Sequence, residues 1–176
     1  SYDPDGSIVS YEWDLDCDGD FSDAQGSLVQ NTWTDDYSCN VSLKVTDDEG
    51  ATGIATTTVT VNNVAPTVDA GTNVDYVLSG SPVNFSGSFT DPGTGDTHVV
   101  EWNFGDGTPA VTGTLAPTHT YTSGDDYTVT LTVTDDDGGV GSDTLTVHVN
   151  DAPIANPSGP YTGDEGSSFT FNGSSS

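Results

Sequence analysis

Tyr127-Thr128-Val129-Thr130-Leu131-Thr132-Val133-Thr134-Asp135-Asp136-Asp137-Gly138 decides the fold class of this chain. Val129, Leu131 and Val133 stand at every second position with threonine between them, the period of two that marks a half-buried strand. Threonine suits the outer face, because β-branched side chains sit well on a pleated surface. The Asp-rich tail ending in Gly is turn chemistry. Working outward, Val41, Leu43 and Val45 alternate with Ser42, Lys44 and Thr46, and Leu145, Val147 and Val149 alternate with Thr144, Thr146 and His148. No window carries a helical period, and Gly, Pro and Asp interrupt every candidate. The expected class is all-β.

The deciding stretch has a twin. Lys44-Val45-Thr46-Asp47-Asp48-Glu49-Gly50 matches Thr132-Val133-Thr134-Asp135-Asp136-Asp137-Gly138, 88 positions later. Tyr11-Glu12-Trp13-Asp14 pairs likewise with Val100-Glu101-Trp102-Asn103, and Thr58-Val59-Thr60-Val61-Asn62 with Thr146-Val147-His148-Val149-Asn150. A period of this size fits one small sandwich per copy. Residues 64–150 read as a whole copy. Residues 1–63 read as a copy without its first strands, and 151–176 as the first strands of a further copy, from Ala152-Pro153-Ile154 to Phe169-Thr170-Phe171-Asn172-Gly173. Two arrangements follow: one period of a long tandem array, or chains that donate terminal strands to the next chain's sandwich. Both predict a head-to-tail string, since a sandwich lacking two strands exposes its core and its edges.

Composition narrows the function. Only 32% of the 176 residues are hydrophobic, so any core is thin. The chain has 28 acidic residues, one basic residue and a formal charge of −27. That excludes nucleic-acid partners, which need Lys and Arg to replace counterions, and disfavours anionic lipid. Such charge repels itself. Salt would screen it, the Debye length falling to roughly 3 Å at 1 M, and bound Ca²⁺ would neutralise it locally. The acid is nearly all Asp, with Glu only at 12, 49, 101 and 165. No apolar run is long enough to span a membrane. With no Met at all, the sequence reads as an excerpt of a longer mature protein.

The motifs resemble those of the polycystic-kidney-disease (PKD) domain family. Trp102-Asn103-Phe104-Gly105-Asp106-Gly107 is similar to W-D-F-G-D-G, Pro117-Thr118-His119-Thr120-Tyr121 to P-x-H-x-Y, and Tyr127 to Asp135 to Y-x-V-x-L-x-V-x-D. Ala152-Pro153, Gly159-Pro160-Tyr161 and Asp3-Pro4-Asp5-Gly6 complete the likeness. The resemblance implies tandem immunoglobulin-like (PKD-type) β-sandwiches, an extracellular or cell-surface location, and roles as spacers, surface-layer or adhesin repeats, or accessory modules of secreted hydrolases. It also implies Ca²⁺ near domain junctions in some members. The first copy departs from the pattern, with Trp13-Asp14-Leu15-Asp16-Cys17-Asp18-Gly19-Asp20 for W-D-F-G-D-G and Asn31-Thr32-Trp33 for H-x-Y. In the second, Asp91-Pro92-Gly93-Thr94-Gly95-Asp96 stands where the first has D-P-D-G.

Two metal candidates emerge. Asp14, Asp16, Asp18 and Asp20 put carboxylates at alternate positions of a Gly-bearing loop, as Ca²⁺ loops do, and Asp23 would stand in for the missing distal Glu. The competing reading is an acidic turn. The second candidate follows from sandwich topology, which sets the loop after the second strand beside the loop between the last two. That pairs Asp3 and Asp5 with Asp47 and Asp48 in the first copy, and Asp91 and Asp96 with Asp135, Asp136 and Asp137 in the second. Asn62-Asn63 or Asn150-Asp151 would complete the shell. Here too tight turns alone are the alternative.

In an extracellular protein Cys17 and Cys39 are expected to form a disulfide, stapling the acidic loop to the sheet. Cys39 takes the place of Tyr127 in the other copy. His119 is read as structural, His148 as outward-facing and His98 as the start of a strand. Trp13 and Trp102 share the parity of core residues. Trp33 is read as core, with a sugar platform as the alternative. Asn40, Asn84 and Asn172 fit the N-glycosylation acceptor. No Ser, Thr or Asp sits in an activating motif, so no enzyme is expected. The leading reading is a Ca²⁺-stiffened repeat of a filament, sheath or surface layer, with copies of itself or adjacent repeats as partners. The alternative is a polysaccharide- or protein-binding accessory module, which exposed side-by-side aromatics would favour.

Overall fold

The computed structural model describes residues 1–171 and 173. Among them stand thirteen strands and no helix. In chain order these are β1 (Ile8–Asp14), β2 (Ala24–Gln25), β3 (Tyr37–Asp47), β4 (Thr52–Val61), β5 (Thr67–Asp69), β6 (Val74–Leu78), β7 (Pro82–Asn84), β8 (Ser88–Thr90), β9 (His98–Asn103), β10 (Val111–Thr112), β11 (Thr118–Thr120), β12 (Asp125–Asp135) and β13 (Val140–Asn150). The chain is an all-β tandem repeat. The stretch that decided the class is β12, and its twin is β3.

The strands form a sheet ordered β2-β1-β3-β4, a sheet ordered β10-β9-β12-β13-β6, and two pairs, β11-β7 and β5-β8. Register follows the hydrophobic pattern. In the first sheet Trp13 lies opposite Leu43, Tyr11 opposite Val45, and Cys39 opposite Val59. In the second, β6 joins β13 in parallel, with Val74 facing Val147.

The chain separates into two compact units, 1–68 with 89–99 and 132–141, and 69–88 with 100–131 and 142–176. The second unit holds the dense core. Val83, Phe85, Trp102, Phe104, Tyr121, Val129, Leu131 and Val147 are all buried. Phe85, just past β7, lies 5.5 Å from the Trp102 ring and 5.3 Å from Phe104, so one layer covers the other as in a sandwich. Each such large apolar side chain contributes about 1.5–3 kcal/mol by leaving water. Gly105 adopts a positive φ of 78°, and a side chain there would run into the Thr128 carbonyl. The Trp-Asn-Phe-Gly signature therefore needs its glycine to close the loop onto the sheet.

The first unit keeps the sheet but buries less of it. Val41 and Val133 are its buried hydrophobic residues among those described, while Trp13, Leu15, Leu43, Val45 and Val59 stay half-buried. Residues 151–171, expected as the first strands of a further sandwich, form none in this chain and carry only a turn at 165–166. A strand is stable only against a partner. No helix among the described residues is long and apolar enough to cross a membrane.

Candidate metal centre

The Asp14–Asp20 loop leaves β1 and folds back on itself. Asp14, Asp16 and Asp18 bring one oxygen each within 4.8 Å of one another. Asp14 is buried and already accepts the backbone N–H groups of Cys17 at 2.7 Å and Gly19 at 3.1 Å. Asp18 accepts from the Asp20 amide at 2.7 Å. Asp23 accepts from Leu15 and Asp16 at 2.6 and 3.1 Å. Asp20 and Asp23 stand outside the three-carboxylate cluster. Much of the loop's acceptor capacity thus closes its own turn.

Asp3 and Asp5 do lie beside the β3–β4 turn. A side chain at Gly6 would touch both the Asp48 and Asp3 carboxylates. Asp48 accepts the Ser7 amide at 2.9 Å, which holds its carboxyl below the usual range. Asp47 is engaged by the amides of Glu49 and Ala51. Partial burial pushes Asp3 up, and like charge on Asp5 and Asp47 adds to it. No three of these four carboxylates meet in one cluster among the described residues.

The densest convergence lies elsewhere in the first unit. Asp35, Asp36 and Asp137 form one triple, Asp96, Asp136 and Asp137 another, and Asp91, Asp96 and His98 a third, each within 4.8 Å. The loop carrying Asp35 is pinned by the Gly95 amide, which donates to the Thr34 carbonyl at 2.8 Å. Asp136 accepts the Thr97 amide, and Asp91 accepts His98 Nε2 at 2.9 Å and the Gly93 amide. Those bonds hold Asp136 and Asp91 low. Asp96 has a buried Oδ1 without a hydrogen-bond partner; partial burial and the charges of Asp35, Asp91, Asp135 and Asp136 push its carboxyl up. Partial burial together with Asp36 and Asp35 pushes Asp137 up to about 6. Two carboxyls raised amid their own kind is a strain that a cation relieves. All these oxygens are hard donors of the kind Ca²⁺ takes.

Asp135 stays apart from the cluster. It is buried and saturated by the amides of Asp137 and Gly139 and by Asn63 Nδ2 at 2.9 Å. Asn63 therefore braces the turn through its amide nitrogen. Sequence reasoning missed Asp35, Asp36 and His98 as members. Asp35 is about a hundred residues from Asp137 in sequence, and no spacing rule links them.

Cys17 and Cys39 form a disulfide, with Cα atoms 6.3 Å apart. His119 stacks on Phe104 at 4.0 Å and bonds Asp106 at 2.7 Å. Trp33 stacks on Tyr37 at 5.8 Å, both rings half-buried. Asn40 and Asn84 are exposed, and each amide oxygen accepts a neighbouring threonine hydroxyl, from Thr58 and Thr118. Asn172 lies outside the described residues.

A PKD domain profile matches residues 1–61 and again residues 63–149. Collagenase ColA of Clostridium perfringens (strain 13 / Type A) is 33% identical over 79 residues, 44% of this chain and 7% of the collagenase. The chain thus spans a small fraction of that relative's length. Among solved structures, the PKD1 domain of Vibrio anguillarum Epp aligns at a TM-score of 0.41 with 29% identity, covering 52% of this chain and 100% of that one. Carbohydrate-binding modules from the β-sandwich superfamily align at 0.44 with 29% identity, over 56% of this chain and 39% of theirs. The fibronectin(III)-like modules of Clostridium thermocellum CbhA align at 0.42 with 14% identity, over 86% and 83%.

Proposed function

Because the chain belongs to the PKD domain family, we propose that it is a non-catalytic structural repeat of an extracellular or surface protein, arranged head to tail and stiffened by Ca²⁺. The observation that carries the reading is the shared position of Asp137 in two carboxylate triples, beside an Asp96 oxygen that no protein donor satisfies. Asp35, Asp36, Asp96, Asp136 and Asp137 would hold the cation, which would cancel their mutual repulsion. The three segments that supply them, 34–36, 91–97 and 135–139, would then be fixed to one another, because a bound metal removes the freedom of its ligands. The Asp14, Asp16 and Asp18 loop is a second, weaker seat, since its carboxylates already serve backbone amides.

Stiffness is tested by the end-to-end length of a chain spanning several repeats, imaged by electron microscopy with Ca²⁺ and then with EGTA. Extended particles that collapse in EGTA are expected. Particles of the same length distribution in both would refute the stiffening.

A second reading, polysaccharide binding by an accessory module, has the Trp33–Tyr37 stack in its favour. Against it stands the other repeat, where Tyr121 takes the sequence position of Trp33 and is buried at 1% exposure. On that comparison Trp33 holds a core position. Retardation of the chain in polysaccharide-loaded gels, lost in Trp33→Ala, would reverse the preference.

A further inference from the structure

We propose that Asp91, Asp96 and His98 form a site for a first-row divalent cation of the Zn²⁺ class, separate from the all-oxygen set that would take Ca²⁺. One oxygen from each carboxylate and one ring nitrogen of His98 lie within 4.8 Å of one another. All three donors come from one stretch, Asp91-Pro92-Gly93-Thr94-Gly95-Asp96-Thr97-His98. Strand ends hold it at both sides: Asp91 directly follows β8, and His98 is the first residue of β9. The side chain of Asp91 is 3% exposed and that of His98 15%. His98 leans on Phe89, with ring centroids 4.7 Å apart. Packing therefore holds the nitrogen donor in place along with its hydrogen bond.

Two observations point past a simple ion pair. Such a pair accounts for Asp91 and His98, whose Oδ2 and Nε2 are 2.9 Å apart. It leaves Asp96 unexplained, because its Oδ1 is buried without a hydrogen-bond partner, a cost that a native fold rarely carries for nothing. Gly93 makes room for that carboxylate: a side chain there would overlap both of its oxygens. The second observation is the other repeat. Counting back from Trp13 and Trp102, Ser7 stands at the place of Asp96 and Val9 at that of His98, and Val9 is 62% exposed. The first repeat builds the same corner without these two donors, so the fold does not require them.

The nitrogen decides the cation. Ca²⁺ takes oxygen donors, whereas imidazole suits Zn²⁺ and its first-row neighbours. Three protein ligands with a fourth position left to water is the pattern of an open Zn²⁺ site. The ion would replace the proton between His98 Nε2 and Asp91 Oδ2. Bonds of about 2.0–2.2 Å at a tetrahedral ion set those two atoms roughly 3.3 Å apart, a retreat of about 0.4 Å by the ring. Asp91 keeps its other oxygen on the Gly93 amide at 2.9 Å, an outer-shell bond that orients a ligating carboxylate. Asp35 and Asp136 are near enough to act on Asp96 through their charge, and they would draw a cation in.

This goes beyond the Ca²⁺ reading and does not rest on it; the two sets share only Asp96, which has one oxygen for each. The test is equilibrium dialysis of the full chain against Zn²⁺ with Ca²⁺ in excess, paired with NMR of the imidazole signals. Wild type is expected to bind a single Zn²⁺, and of the three histidines only His98 should shift. His98→Gln should weaken Zn²⁺ binding by at least about tenfold, since losing even an outer-shell partner costs that much, and leave the Ca²⁺-dependent rise in thermal midpoint unchanged. Asp137→Asn should do the reverse, and Asp96→Asn should weaken both. The NMR reading is made on wild type and needs no variant to fold. Zn²⁺ binding unchanged in His98→Gln, or shifts at His119 or His148 in place of His98, would overturn the proposal. So would a wild type that takes up no Zn²⁺, or one whose Zn²⁺ is displaced ion for ion by Ca²⁺, since the two sets would then be one site. Zn²⁺ uptake at His98 in a chain whose midpoint ignores Ca²⁺ would uphold it while overturning the Ca²⁺ reading.

Discussion

Trp13 and Trp102 hold the same place in two copies of one pattern, and both donate the indole N–H to a loop carbonyl, Gly26 at 3.0 Å and Thr114 at 3.1 Å. Yet Trp102 is fully buried and Trp13 is half-exposed. The local conformation is the same; only the covering layer differs. Strand alternation and turn chemistry are thus enough to build the sheet, while burial, and with it most of the stability, comes from a second layer laid across it, as Phe85 lies across Trp102. The disulfide is found only in the poorer repeat. Cys39 stands where the other copy has Tyr127, which stacks on buried Tyr121 at 4.3 Å, so a covalent tie replaces an aromatic contact.

That contrast can be broken by substitution. Trp102→Ala should cost about 3–5 kcal/mol, the usual loss for a large buried aromatic, and Trp13→Ala clearly less, read from urea denaturation followed at separate fluorescence probes. Equal losses would mean that the first face is covered in solution. Next in size, replacing both Cys17 and Cys39 by Ser should destabilise the first repeat by about 3 kcal/mol, as expected for closing a loop of this length, and leave the Trp102 signal in place. Their separation is 22 residues. A uniform loss across both probes would show that the repeats unfold as one.

The carboxylate cluster sharpens the comparison through pH. The carboxyl of Asp137 is raised from 3.8 to about 6, so the folded chain binds the extra proton between those values. Without cation, stability should therefore fall as pH rises through roughly 4 to 6 and stay low above it. Asp137→Asn should flatten that slope and raise the midpoint at neutral pH. Because Ca²⁺ needs the ionised form, its affinity should weaken on acidification through the same window. Smallest of all, His148→Gln should remove a pH dependence of opposite origin: its pKa is raised chiefly by the Asp126 hydrogen bond, so its stabilisation is present below about 6.5 and is lost as pH rises through the higher folded value.

Much of this was legible in the sequence. The alternation of Val129, Leu131 and Val133 gave the strands, and the 88-residue period gave the repeat, because both are local patterns that the backbone must obey. The D-x-D-x-D spacing located the Asp14, Asp16 and Asp18 convergence for the same reason. What stayed hidden was long-range. Asp35 and Asp36 join Asp137 only through folding, and His98 enters the cluster through a bond to Asp91 that no motif announces. The half-exposure of Trp13 was hidden for a different reason. Parity tells which face a residue is on, and a face is a core only when something lies across it.

The most direct test of the central claim is scanning calorimetry of the chain at neutral pH, with Ca²⁺ and with EGTA, in wild type and Asp137→Asn. The account predicts a midpoint that rises with Ca²⁺ concentration in wild type, as ligand linkage requires, and a much smaller rise in Asp137→Asn, whose starting midpoint in EGTA is the higher of the two. Midpoints in wild type that do not move between Ca²⁺ and EGTA would contradict it.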